Sequence, residues 1–292
     1  MEFTGVPVDI AQWRAAPFAL DGETVFAVGD VHGCADELAA VLAAVALAAT
    51  AAPGPTRLVY LGDLIDRGPR NLEVLRLWSE DESRRGVGRI DRVMGNHEQM
   101  MLLAVGDGPH AAKARAMWLG ERMGGTKVLD EMRARVGDPA AALDAALLDA
   151  ALGAGEVARL RAMRSHVRIG NAVFVHGGLD PGADQAEFLA RPWSAFIGAT
   201  WAWIMEGFLD WRGGFGGTLV VHGHTPPPRH HELTGQDDPH LFLHDRLGLD
   251  GGSARTGFVT AAQVEDGRYR IFRAGRARTL PAAFGGDTSV PG

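Results

Sequence analysis

The chain has 292 residues, 46% of them apolar, enough for one large α/β domain or for a core with a helical insertion. Its formal net charge is −7, from 29 basic and 36 acidic side chains with no basic block, which argues against a dedicated binder of nucleic acid or of anionic membrane. The single cysteine, Cys34, excludes an intrachain disulfide framework and fits a reducing compartment.

In chain order, MEFTGVPVDIAQW lacks a basic stretch followed by an apolar run, so no secretory leader is expected and the cytoplasm is the expected location. TVFAVGD (24–30) reads as a strand. DELAAVLAAVALAA (36–49) reads as a crossover helix, too short and too acidic at its start for a membrane span. RLVYLGD (57–63) and DRVMGN (91–96) are further strands, with NLEVLRLWSE (71–80) a helix between them. This β–α–β–α–β order predicts parallel strands with right-handed crossovers and a site at their carboxyl ends. Residues 98–165 read as a helical insertion or cap. NAVFVHGG (171–178) and TLVVHGHT (218–225) are strands, and the Trp-rich TWAWIMEGFLDW (200–211) between them is expected to be helical. PPPRHHELTGQDDPH (226–240) is a loop by composition. GFVTAAQVEDGRYRIFRA (257–274) is sheet-like with a turn at EDG (265–267), and the tail from Gly275 is expected to be loose.

GDLIDRG (62–68) admits two readings. Gly and Asp are turn residues, and the charges can simply face water. Alternatively, carboxylates at the end of a buried strand, beside glycines that let backbone approach a ligand, suit a metal–phosphate centre. Four companions decide between them: GDVHG (29–33), GNHE (95–98), VHGG (175–178) and HGHT (222–225), all at strand ends. Each supplies Asp, His or Asn, and two divalent cations sharing a site want carboxylate oxygen, imidazole nitrogen and amide oxygen.

These motifs resemble the phosphoprotein phosphatase branch of the calcineurin-like metallophosphoesterases, from about Val25 to about Ala262. The likeness is to bacterial and phage serine/threonine phosphatases and to symmetrical diadenosine tetraphosphatases. It implies an α/β fold, a four-layer αββα sandwich with a helical cap insertion, in a single domain over residues 1–292. It also implies two divalent metal ions, manganese first, with iron or zinc as alternatives. By the resemblance, Asp30 and His32 hold the first metal, Asp63 bridges both, and Asn96, His176 and His224 hold the second. His222 is a strand-end or outer residue. His97 donates the proton to the leaving group, Asp66 pairs with His97 and favours its charged form, and Arg67 clamps phosphate.

The implied function is hydrolysis of phosphomonoesters, foremost phosphoserine or phosphothreonine in proteins. The alternatives are a dinucleoside polyphosphate or other small phosphoanhydride, and, in another class, a catalytically weakened binding protein. No nucleic-acid or membrane partner is expected. One departure stands out: Met205 occupies the place where the family carries a second phosphate-binding Arg, with Arg191 or Arg212 as substitutes from elsewhere. Trp193, Trp201, Trp203 and Trp211 read as core or groove wall. His230, His231 and His240 read as solvated loop residues, and Cys34 as a small buried side chain.

Overall fold

The computed structural model describes residues 5–195 and 200–276; from residue 277 onward, the tail expected to be loose lies outside the described residues. The chain lays down β1 (Val8–Ile10), β2 (Arg14–Ala15), β3 (Thr24–Val28), β4 (Thr56–Tyr60) and β5 (Arg89–Arg92). After a helical segment come β6 (His166–Ile169), β7 (Ala172–Val175), β8 (Leu219–His222) and β9 (Arg246–Gly248). The hairpin β10 (Phe258–Glu265) and β11 (Arg268–Gly275) follows. Among the described residues these strands form two sheets, one ordered β1-β11-β10-β3-β4-β5 with β2 on β11, the other β6-β7-β8-β9. Strands β3, β4 and β5 are mutually parallel, as are β7, β8 and β9. The crossovers α1 (Ala35–Ala49) and α2 (Asn71–Ser79) match their sequence expectations closely.

Side-chain alternation along the strands sorts the core into two layers. Val25 and Ala27 of β3 face Ala172 and Phe174 of β7 and Leu219 and Val221 of β8 in a cluster between the sheets. Phe26 and Val28 point the other way, onto Leu38, Val41 and Val45 of α1. On the second sheet, Val173, Val175 and Val220 face outward and join Phe188 and Phe208. These two aromatics lie on α9 (Gln185–Leu189) and α10 (Glu206–Leu209). Two facing sheets flanked by helices are the αββα arrangement.

The region between β5 and β6 is helical, with α4 (Asn96–Val105), α5 (Ala111–Trp118), α6 (Thr126–Val136), α7 (Ala145–Leu152) and α8 (Ala154–Arg161). A four-residue helix, α3 (Glu82–Arg85), precedes β5.

Three local expectations are corrected. The Trp-rich stretch is a turn followed by the short α10, because the Trp201 carbonyl accepts Gly177 N–H at 2.7 Å and is spent outside any helix. Residues 226–240 are not all loop: α11 (Pro227–Thr234) starts with proline in its first turn and stops at the left-handed Gly235. The strand expected over 91–96 ends at Arg92, so Gly95 and Asn96 open α4 instead. Strands β6 and β9 were not read from the sequence, their residues HVRI and RLG lacking a continuous apolar run.

Glu131 of α6 ties the insertion to the first sheet's crossover. Its carboxylate accepts Asn71 N–H and Leu72 N–H at 2.8 Å each and Asn71 Nδ2 at 2.6 Å, capping α2 from a distant element. Glu131→Ala is therefore expected to lower unfolding free energy by about 1–3 kcal/mol, the cost of orphaning partly buried donors. Urea denaturation checks it; a change below about 0.5 kcal/mol, the ordinary surface range, would mean water caps α2 equally well.

Candidate metal centre

Six parallel strands end at one edge of the two sheets. Behind β3, β4 and β5 come GDVHG, GDLIDRG and GNHE; behind β7, β8 and β9 come His176, His224 and Asp250. The first two loops are joined through backbone. Val31 N–H and His32 N–H both donate to the Asp63 carbonyl at 2.9 Å, and Gly33 N–H donates to Leu64 O at 2.8 Å. Glu98 binds the second loop to the third. Its carboxylate accepts N–H bonds from Asp63 (2.9 Å), Leu64 (2.8 Å), Ile65 (3.3 Å) and Gly95 (3.1 Å).

The backbone here is strained. His32, Asp63, Asp66, Arg67 and His224 all have positive φ, between 44° and 75°. Such conformations cost on the order of 1–3 kcal/mol each in non-glycine residues and persist only where the surroundings over-determine them. Two glycines make room for carboxylates. A Cβ on Gly95 would lie 2.3 Å from Asp63 Oδ1, and one on Gly223 would lie 2.2 Å from Asp30 Oδ1.

The side chains converge on Asp63. One group of donor atoms comprises His32, Asp63 and His97, the other Asp63, His176 and His224, each within 4.8 Å of one another. His176 Nε2 lies 3.2 Å from Asp63 Oδ1, while His32 Nε2 and His97 Nε2 lie 3.6 and 3.8 Å from Oδ2. Asn96 Oδ1 sits 3.0 Å from His176 Nε2 and 3.0 Å from His224 Nδ1. Backbone carbonyls orient two of the rings: His32 Nδ1–H donates to Ile65 O and His176 Nδ1–H to Leu61 O, both at 2.8 Å. For His32 and His176 this turns the Nε2 lone pair inward, the tautomer a metal-binding imidazole requires.

Burial dominates the electrostatics. It raises Asp30 and Asp66 well above the usual carboxylate range, Glu98 to about 7 and Asp250 to about 6. It lowers His32 to about 4, His224 to about 3 and His97 well below its ordinary value. Burial would also raise Asp63, but His176, His97 and His32 outweigh it and hold that carboxyl well below its normal range. Five buried carboxyl groups and four buried or half-buried imidazoles thus share one small volume, with Arg67 the side-chain cation that acts on most of them.

The residues fit divalent metal ions. Oxygen and imidazole donors converge with their lone pairs facing one another, an arrangement that a cation relieves. Asn96 adds a side-chain amide to the same cluster, close to His176, His224 and Asp63.

Most expected positions come together, with differences. Asp30 lies outside both donor groups, its carboxylate accepting His224 N–H at 3.0 and 3.1 Å, and His97 stands in the group with His32 instead. His97 Nδ1–H does donate to Asp66 Oδ2, at 2.6 Å. Burial nevertheless lowers His97 well below its ordinary value in the free site. Arg67 Nη1 lies 2.8 Å from His32 Nε2, within the centre.

Arg212, weighed as a substitute clamp, is engaged elsewhere in this structure. Its guanidinium donates to Leu209 O and Leu233 O, stitching α10 to α11. Arg191 stacks its guanidinium on Phe188, 4.9 Å from the ring centre. Met205 packs against the larger core at the start of α10.

Trp203 forms part of the site wall, 6.4 Å ring to ring from His224, with Nε1–H donating to Gln99 Oε1. His222 is buried with Nε2 unpartnered and Nδ1 on Gly223 O. His230 and His240 are not solvated: the first is buried on α11 and the second bonds to Gly248 O. His231 is the exposed one of the three, and Cys34 is buried as expected.

Sequence reasoning missed Glu98, Asp250 and Trp118. Glu98 was legible as the third helical residue after Gly95, where a carboxylate reaches back to the helix start. Asp250 sits in GLDGG behind a strand too short to read, and Trp118 reaches the site from the insertion.

Asp63→Asn removes a charge shared by both donor groups. Metal affinity is expected to fall by more than about 10–100-fold, the loss typical even of outer partners. Elemental analysis of the purified variant checks it; unchanged stoichiometry for every bound ion would sink the shared-ligand assignment. Gly223→Ala is expected to lower metal content as well, because the new methyl displaces the Asp30 carboxylate.

Comparison with known proteins agrees with this geometry. Residues 23–251 match the calcineurin-like phosphoesterase family. A symmetrical bis(5'-nucleosyl)-tetraphosphatase of Neisseria gonorrhoeae is 38% identical over 88 residues, 30% of this chain and 28% of that protein. One from Neisseria meningitidis is 35% identical over 112 residues, 38% of this chain and 37% of that protein. The chain thus aligns with 28% and 37% of these two relatives' length. Among solved structures, a protein serine/threonine phosphatase from Saccharomyces cerevisiae superposes with a TM-score of 0.50 at 14% identity, over 89% of this chain and 82% of that one; it speaks for the fold alone. No helix among the described residues is long and apolar enough to cross a membrane. With 229 consecutive residues matched and the donor set in place, the chain belongs to the calcineurin-like phosphoesterases, enzymes that hydrolyse phosphoesters.

Proposed function

We propose that the protein hydrolyses phosphomonoesters with poor leaving groups, phosphoserine and phosphothreonine foremost, with two divalent ions at the centre built around Asp63. The observation that carries this reading is the buried Asp66–His97 pair, whose imidazole Nε2 faces Asp63. When bound, the ions neutralise the phosphate's charge and acidify a water. Asp30, His32 and Asp63 would hold one ion, and Asp63, Asn96, His176 and His224 the other. Arg67, already among these groups, offers its planar fork of donors to the phosphate oxygens.

The role of His97 is to protonate the departing oxygen. An alkoxide is a poor leaving group, and general acid catalysis of this kind contributes typically ~10²–10⁴-fold. Burial disfavours a charged ring in the free site, but a phosphate dianion beside it supplies the opposite charge that favours protonation. Asp66, bonded to Nδ1, leaves Nε2 as the atom that hands over the proton.

A second reading is favoured by the named relatives, two of which are symmetrical bis(5'-nucleosyl)-tetraphosphatases. In it the substrate is a dinucleoside polyphosphate and the leaving group a nucleotide. That leaving group needs less help from an acid, and a longer phosphate chain needs more cationic side chains than Arg67.

Protein reconstituted with manganese, iron or zinc is expected to turn over a phosphopeptide and an aryl phosphate, and to lose both activities with a chelator. Turnover of a dinucleoside tetraphosphate at the central bond, with phosphopeptides untouched, would replace the first reading by the second. His97→Asn is expected to slow alkyl phosphates about 100-fold or more, and aryl phosphates much less, because a phenolate leaves with little help. Equal losses on the two substrate types would remove His97 from the acid's role.

A further inference from the structure

The helical insertion reaches into the centre through one side chain. Trp118, the last residue of α5, is fully buried, and its indole Nε1–H donates to both oxygens of Asp66, at 3.1 Å to Oδ1 and 2.9 Å to Oδ2. Asp66 Oδ2 also receives His97 Nδ1–H at 2.6 Å. The indole, the carboxylate and the imidazole therefore form a continuous chain from the insertion to the atom that faces Asp63. Asp66 sits at φ 75° and Arg67 at 65°, so neither relies on a relaxed backbone to hold its direction.

The turn behind Trp118 is shaped around the indole and around Arg67. Gly125 N–H donates to the Trp118 carbonyl at 3.0 Å, and a Cβ on Gly125 would lie 2.4 Å from the indole ring. The neighbouring Gly124 carbonyl faces Arg67 N–H at 3.5 Å. Lys127 Nζ donates to Arg67 O at 2.5 Å, and Arg67 Nη2 points to Arg122 O at 3.5 Å. Residues 118–127 thus form a strap over the Asp66–Arg67 pair.

We propose that Trp118 is a positioning residue for the reaction: its N–H fixes the plane of the Asp66 carboxylate so that the His97 ring stays turned with Nε2 toward the reacting phosphate. This rests on the reading of His97 as the acid. A carboxylate held by the imidazole alone is free to swing about its Cβ–Cγ bond and carry the ring with it. One fixed from the opposite side is not. The indole makes no contact with substrate; it acts through Asp66 and His97, and its contribution is confined to steps that need the acid.

The test is Trp118→Phe, which keeps an aromatic ring in the same packing and removes only the donor. With the metal-reconstituted enzyme, kcat for an alkyl phosphate is expected to fall about tenfold more than kcat for an aryl phosphate, with KM and metal content held. In a His97→Asn background the same substitution is expected to add no further selective loss, since the group it positions is gone. Trp118→His, which restores a ring N–H, is expected to recover part of the alkyl rate. Equal losses on both substrates, or a selective loss that persists in the His97→Asn background, would overturn the proposal while leaving the phosphoesterase reading standing.

A readout without turnover separates the two further. In ¹⁵N-tryptophan-labelled protein, the indole N–H resonance assigned by its loss in Trp118→Phe is expected to shift upfield in Asp66→Asn. A resonance indifferent to Asp66 would also overturn the proposal. Absence of any metal-dependent hydrolysis in the unsubstituted protein, with that shift present, would count against the function and not against the contact.

Discussion

The carboxylate of Glu98 is the constraint on which the centre depends. Four backbone N–H groups from two loops converge on its two oxygens, and three of those donors belong to the turn that carries Asp63. Each such hydrogen bond contributes about 0.5–1.5 kcal/mol net, and together they help hold a turn whose non-glycine residues adopt left-handed backbone. That turn in turn supports the GDVHG loop through the Asp63 carbonyl. One side chain on α4 therefore sets the relation of three strand ends, and so the placement of Asp63, His32 and Asn96.

Around this frame the site concentrates charge that burial alone disfavours. Asp30, Asp66, Glu98 and Asp250 are pushed upward and His32, His97 and His224 downward, so each group is displaced toward its neutral form. Asp63 and His176 run the other way: three imidazoles hold the Asp63 carboxyl ionised, and Asp63 in turn raises His176. A centre arranged this way stores unfavourable desolvation that bound cations relieve, which is why folding and metal binding are linked in such sites. Backbone carbonyls on His32 and His176 direct the lone pairs inward, so little reorganisation accompanies binding.

The insertion does more than cover the sheet edge. Glu131 of α6 caps α2, Lys127 holds the Arg67 carbonyl, and Trp118 holds Asp66, all within a short stretch of chain. The residues flanking the GDLIDRG turn are thus gripped from both sides, by Glu98 from α4 and by the strap from α5 and α6. Rigid support from separate elements is what places a reacting group within the narrow tolerance that catalysis demands.

Much of this was legible in the residues themselves. Strand ends of the form GD, GN and GH are local signals, because glycine permits a tight turn and Asp, His or Asn next to it has nowhere apolar to go. The parallel strands β3, β4, β5, β7 and β8 and the crossover helices follow from them. What local pattern cannot reveal is contact between segments far apart in the chain. Glu98 looked like one more helical acid, Asp250 followed a strand of three residues, and Trp118 lay 52 residues from the aspartate it holds. The Trp-rich stretch read as a helix until Gly177 claimed the Trp201 carbonyl, and Arg212, weighed as a substitute phosphate clamp, turns its guanidinium to two carbonyls of α10 and α11. The sequence by itself determined which chemical groups stand at the strand ends. Tertiary structure decided which of them meet, because hydrogen bonds and burial between distant segments depend on packing that no local window contains.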